Sequence, residues 1–342
     1  MQHCDSALYP QVPAAADAGC KRGHIKREAS REMMEKNVIS VSGGKDSTAL
    51  LLLAIERKTE NMQAVFADTG NEHPQTYEYV RYLEKQVGIH ILWIKADFSR
   101  QIAGKAEFIN TKWREQGIPD EVCDRAIAIL KPTGNPFLDL CLWKGRFPST
   151  KARFCSEEMK KNPITEQVHK PLLMQGYDVV SWQGVRADES ASRAGLPERE
   201  CKMVTEGGAE LWNYRPILKW TAKDCFAMHE KHGIKHNPLY EQGMGRVGCM
   251  PCIHCRKDEL LEITKRFPDE IARIAEWEAI VSQAAKRQRS TFFSTADGRG
   301  DGIHEVVEWS KTGHGGKQYD MLRADNDDSG TFMCSSIYGL CE

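Results

Sequence analysis

The chain has 342 residues, 41% of them hydrophobic and 28% charged, with a formal net charge of −1. That balance supports one large or two modest domains with a real core. It leaves no global field to draw the molecule to nucleic acid or membrane, so any polyanion site must be local. No apolar run reaches the roughly 18 residues of a spanning helix.

Residues 1–36 carry no signal-peptide core and read as a polar, Ala-rich, disordered extension. A strand is predicted over 37–41 and a helix over 48–58, which holds four consecutive leucines. "QAVFADTGNE" predicts a second strand, apolar from Ala64 to Ala67 and ending at Asp68. "PQTYEYVRYLEKQVG" places Tyr77, Val80, Leu83 and Val87 on one helix face. "IHILWIKAD" predicts a third strand, and a fourth runs from Val179 to Gln183. Strands alternating with helices predict an α/β fold: a Rossmann-like parallel sheet with helices on both faces. The main domain spans 37–257, with 97–176 as an inserted cap and a cysteine-rich C-terminal part. A single helix is expected over about 258–287, within a C-terminal helical segment 258–293. The Gly-, Asp- and Ser-rich residues 294–342 are expected to be a mobile arm and tail.

The first strand ends in Ser42-Gly43-Gly44-Lys45-Asp46-Ser47. Open parallel sheets bind ligands outside the carboxyl ends of their strands. A glycine turn leading into a helix presents amides and a positive dipole end to an anion. Lys45 adds a point charge, and Ser42 and Ser47 add hydroxyls. The loop is not a Walker A motif, because Ile39 stands where that motif needs its first glycine. At the second strand end, Asp68 can hold Mg2+ or a ribose hydroxyl, or simply cap the next helix. Past the fourth strand, Arg186, Glu189, Ser190 and Arg193 follow a turn, and the two arginine forks can converge on one anion. Lys144, Arg146, Lys151 and Arg153 offer an anionic-substrate wall, with Lys151 and Arg153 nearest Cys155; a solvated charged face is the plain alternative.

Twelve cysteines are many for such a chain. With no secretory leader, a cytoplasmic location is expected and disulfides are disfavoured. Cys249-x-x-Cys252-x-x-Cys255 can face one metal centre, with Cys155 as the candidate fourth ligand. Spacing alone leaves iron–sulfur, structural zinc and unligated thiols open. Cys123, Cys141, Cys201 and Cys225 have no partners by spacing and are expected to be buried or incidental.

Ser-Gly-Gly-Lys-Asp-Ser resembles the PP-loop of the ATP-pyrophosphatase superfamily, whose members grip the pyrophosphate of ATP. "ADTGNEHPQTYEYV", "WQGVRADESASR" and "KHNPLYEQGMGRVGCMPC" resemble segments of its phosphoadenosine phosphosulfate (PAPS) reductase-like branch, in that order and over about 37–257. The resemblance implies a nucleotide site of Ser42, Gly43, Gly44, Lys45, Asp46, Ser47, Asp68, Thr69, Gly70, Gly184, Arg186, Ser190 and Arg193. Lys45, Asp68, Arg186 and Arg193 are implied as catalytic, with Mg2+ and either ATP or PAPS bound.

The family's cluster-bearing members pair two adjacent cysteines with a later Cys-x-x-Cys. Here Phe154 replaces one of the adjacent pair and Cys255 is extra, so a 4Fe-4S cluster on Cys155, Cys249, Cys252 and Cys255 is implied. That pattern is closer to the related pyrophosphatase of DNA phosphorothioation. The reductases' C-terminal Glu-Cys-Gly-x-His is absent, which leaves Cys334 and Cys341 without an assigned role. An intact loop with Lys45 favours ATP cleavage between the α- and β-phosphates in sulfur-transfer chemistry. Its partners would be a sulfur donor, a thiol reductant or a nucleic-acid acceptor. The alternatives are a PAPS or adenylyl sulfate reductase releasing sulfite, and a nucleotide-binding, DNA-associated module without turnover.

Overall fold

The computed structural model describes residues 34–313 together with Ile337, Tyr338 and Leu340. The expectations for an N-terminal extension and for Cys334 and Cys341 therefore lie outside the described residues, except that residues 35 and 36 open the first strand.

Six strands form one sheet: β1 (Glu35–Val41), β2 (Met62–Asp68), β3 (Ile91–Lys95), β4 (Asp178–Trp182), β5 (Arg199–Val204) and β6 (Glu210–Tyr214). Their order is β3-β2-β1-β4-β6-β5. Every neighbouring pair is parallel except β5 and β6, which run antiparallel. Chain order reverses on either side of β1, so the cleft between the ends of β1 and β4 is the topological switch point, where open α/β sheets take their ligands.

The sheet is covered on both faces, as its apolar strands require. Ile39, Phe66 and Trp182 pack on one face with α1 (Lys45–Glu56), α2 (Pro74–Val87) and residues of helix Ala222–Lys231. Val38, Val65 and Val179 pack on the other face with Val168 and Leu173 of the helical tract 154–174. α1 starts at Lys45, three residues earlier than the apolar run predicts, which puts Lys45 in the first helical turn. A polar first turn has no periodicity to betray it.

Three further differences have local causes. The β5–β6 hairpin was not anticipated, because β5 is a largely exposed edge strand with no apolar face. The expected single helix near 258–287 is two, Lys257–Arg266 and Pro268–Ala284. Pro268 cannot donate to the preceding turn and clashes with its carbonyl, so the chain restarts there. The expected mobile arm is ordered over its first part: helix Ile303–Ser310 buries Ile303 and Val306 completely. Those residues join Phe137, Trp277 and Phe292 in a third core, which unites the insertion with the C-terminal helices.

Candidate functional site

The turn from β1 to α1 is fixed from several sides. Gly43 sits at φ +73°, and a Cβ there would lie 3.0 Å from Cγ2 of Thr76, so the position requires glycine. The Ser47 hydroxyl accepts from the Ser42 amide at 3.0 Å and lies 3.0 Å from the Ser42 hydroxyl. Asn237 Nδ2 donates to the Gly43 carbonyl at 3.2 Å, and the Lys45 amide donates to the Tyr240 hydroxyl at 2.8 Å. From below, Nε2 of buried His229 donates to the Lys45 carbonyl at 3.0 Å. The Asn237-Pro238-Leu239-Tyr240 segment is therefore a clasp on the loop.

Ser42, Gly44, Lys45, Asp46 and Ser47 line a cavity of about 1030 Å³, joined by Gly184, Arg186 and Arg193. Lys45 is 4% exposed, with Nζ 3.2 Å from Asp46 Oδ2. Its Nζ also lies 5.6 and 5.2 Å from the ring centres of Tyr240 and Tyr338. Arg186 is buried, with Nε 2.6 Å from Asp46 Oδ1 and Nη1 2.6 Å from Asp188 Oδ2. Burial pulls the Arg186 guanidinium down, but Asp46, Cys225 and Asp188 outweigh it, so the group is held above its ordinary value. Arg193 pairs with Glu189. Burial, then the nearby positive charges of Arg246, Arg153 and Arg186, hold Arg193 below its ordinary value. One wall of the cavity is thus crowded with positive charge, the arrangement that a polyanionic ligand relieves.

Other predicted residues lie elsewhere. Asp68 lines a separate cavity of about 550 Å³ with Gly70, Tyr77 and Lys95. Its oxygens are engaged by the Gly70 amide at 2.9 Å, the Tyr77 hydroxyl at 2.8 Å and Lys95 Nζ at 2.9 Å. Thr69 is buried and donates to Glu72 at 2.7 Å through its hydroxyl. Ser190 faces Ser192 and does not line the main cavity. Lys151 and Arg153 are exposed and outside its lining, although Arg153 is close enough to act on the charge of Arg193. Sequence reasoning missed Tyr240, Arg246 and Lys160, which do line it. Tyr240 and Arg246 both fall inside a quoted motif, but no local signal marked Lys160.

The cysteines gather on the side of the cavity nearest Lys160. Glu72 and Cys249 form an isolated β-bridge, and the Met250 amide donates to the Asn71 carbonyl at 2.7 Å. The end of β2 therefore positions the Cys249–Cys255 turn. Cys252 interacts electrostatically with each of Cys155, Cys249 and Cys255. Burial pushes all three of those thiols up, Cys249 to about 12. Burial pulls the Lys160 ammonium down, but the charges of Cys249, Glu72 and Cys252 outweigh it and hold it above its usual value. Among the described residues, no three His, Cys, Asp or Glu side chains are drawn close enough for a single metal ion. Cys123, Cys141 and Cys225 are buried as expected, whereas Cys201 is disulfide-bonded.

A sheet with this switch point, ending in this loop, defines a PP-loop α/β protein. Residues 36–255 match the phosphoadenosine phosphosulfate reductase domain, and the chain belongs to that family. A 37.8 kDa uncharacterized protein of Escherichia phage 186 is 51% identical over 90% of this chain and 96% of its own length. A phosphoadenosine 5'-phosphosulfate reductase of Vibrio campbellii is 25% identical over 61% of this chain, which spans 63% of that enzyme. The crystal structure of a PAPS reductase from Candida auris matches with TM-score 0.37 and 17% identity, over 63% of this chain and 81% of that one. No helix among the described residues is long and apolar enough to cross a membrane.

Proposed function

We propose that this chain is an enzyme that binds ATP by its polyphosphate through the Ser42–Ser47 loop and cleaves it between the α- and β-phosphates. The observation that carries this reading is the convergence of Lys45, Arg186 and Arg193 on one cavity at the end of β1. An acceptor oxygen or sulfur attacks the α-phosphorus. The bond from that phosphorus to the bridging oxygen breaks, and pyrophosphate leaves with the bond electrons. Lys45 and the amides at the start of α1 face the charge that develops on the leaving group, as preorganised donors do in other transfer reactions.

The two aspartates considered for Mg2+ are both engaged by side chains of the protein among the described residues. Asp46 is shared between Lys45 and Arg186, and Asp68 is taken by Lys95, Tyr77 and the Gly70 amide. The cationic side chains therefore carry the charge stabilisation in this reading.

The four cysteines suit an iron–sulfur centre: they are thiol donors grouped about Cys252 beside an apolar core. Such a centre would hold them as thiolate ligands. Cys155, Cys249, Cys252 and Cys255 would hold it, and it would supply a place to organise or relay sulfur. A second reading, sulfite release from PAPS or adenylyl sulfate, is favoured by the matched domain and by the Vibrio relative.

The deciding experiment offers purified protein ATP, PAPS and adenylyl sulfate in turn, with a thiol reductant. Pyrophosphate from ATP supports the first reading and sulfite from either sulfate ester supports the second. A protein that binds ATP and releases neither product is a binding module.

A further inference from the structure

The large cavity does not end at the phosphate loop. It continues beneath the helical tract 154–174 along the sheet face that carries Val65 and Ala67. There the apolar side chains of Val65, Ala67, Ile164 and Leu211 line it alongside polar ones, Thr165, Ser181, Asn213 and His169 among them. His169, in the helical turn Thr165–His169, is 5% exposed. Neither of its ring nitrogens has a hydrogen-bond partner among the described residues. A buried polar atom left unpaired forfeits the hydrogen bonds that water gave it, so an unpartnered imidazole lining a cavity is an unusual thing to keep.

Burial lowers the ring to about 4, so at neutral pH it carries one N–H donor and one bare acceptor. A flat heteroaromatic ring with apolar faces and a polar edge matches that chamber. A purine base does so, because its edge offers both ring-nitrogen acceptors and an amino donor. The cavity volume of about 1030 Å³ is ample for a nucleotide whose phosphates sit at the loop.

We propose that His169 is a specificity-determining residue, hydrogen-bonding the polar edge of the purine base in a chamber walled by Val65, Ala67, Ile164 and Leu211. The assignment rests on the nucleotide reading of the Ser42–Ser47 loop. It adds where the base lies and which side chain recognises it.

The test measures dissociation constants by calorimetry for ATP and inorganic tripolyphosphate. It adds three ATP analogues that each lack one edge group: purine riboside triphosphate, 1-deaza-ATP and 7-deaza-ATP. The wild type is expected to bind at least one analogue about tenfold more weakly than ATP, the cost of one buried hydrogen bond. His169→Phe should bind ATP about tenfold more weakly, lose that discrimination and hold tripolyphosphate as before. His169→Gln, which keeps a donor and an acceptor, should recover part of the ATP affinity. Should His169→Phe be poorly folded, the imidazole NMR signals of His169 in the wild type serve instead. They should shift on adding ATP and stay put with tripolyphosphate.

The proposal is overturned if no analogue is discriminated, if His169→Phe leaves the preference intact, or if that variant weakens ATP and tripolyphosphate alike. Failure of the underlying nucleotide reading looks different: neither ATP nor tripolyphosphate would then respond to Lys45→Met.

Discussion

Arg186 reaches back from the end of β4 to the first turn of α1, its Nε 2.6 Å from Oδ1 of Asp46. The other oxygen of the same carboxylate lies 3.2 Å from Lys45 Nζ. One carboxylate therefore holds two cations together at the cavity wall. Without it they would repel each other in a partly buried site, where Coulomb terms are larger than in water.

That geometry predicts a measurable coupling between Asp46 and Arg186. In a double-mutant cycle with Asp46→Asn and Arg186→Met, denaturant unfolding should return a coupling energy of about 1–3 kcal/mol. A value near zero would mean that the contact is incidental.

Lys45 should matter to turnover far more than to folding. Lys45→Met keeps the buried stem and removes the charge. It should lower pyrophosphate release from ATP by about 10²–10³-fold, the typical loss for one preorganised donor. Circular dichroism should be unchanged. Undiminished turnover would remove Lys45 from the reaction.

Why the loop could be read from sequence, and its supports could not, follows from where the information sits. A strand, two glycines, a lysine and a helix are contiguous, so the end of β1 is legible in Val38–Glu56 alone. The clasp is not: Asn237 and Tyr240 meet Gly43 and Lys45 across nearly 200 residues of chain. Neither has a periodicity that points there. Asp68 was rightly placed at a strand end, but nothing local shows that Lys95, one strand over, turns its carboxylate toward a second cavity. His169 lies in a helical tract interrupted by π turns, where no regular face singles it out.

The thiol cluster yields a third prediction, centred on Cys252. Anaerobically purified protein should be brown, with a broad visible absorption band and about four irons per chain. Cys252→Ala should lose both iron and colour, while Cys123→Ala, at a buried position outside the four, should keep them. Colourless wild-type protein carrying one zinc per chain would replace the iron–sulfur assignment with a structural zinc site.

The last prediction concerns pH and the underside of the loop. Burial lowers His229 to about 4, against the opposing hydrogen bond to the Lys45 carbonyl. Unfolded, the same imidazole titrates near 6.5. Between those two values the unfolded chain binds a proton that the folded chain refuses, so acidification favours unfolding. The stability that neutral His229 lends is complete above about pH 6.5. It falls by up to about 1.4 kcal/mol per pH unit as the solution is acidified toward the folded value. Glu259, Glu270 and Glu278 act in the opposite sense, since burial raises each of them and their cost is relieved on protonation. The effect of His229 is therefore read from the difference between wild type and His229→Gln, in urea midpoints at pH 7.5, 6.0 and 5.0. The wild-type advantage should shrink at each step down. An advantage that stays constant would mean that His229 binds its proton alike in the folded and unfolded chain, and one that grows on acidification would mean that the fold holds it protonated, in a charged contact with the Lys45 carbonyl.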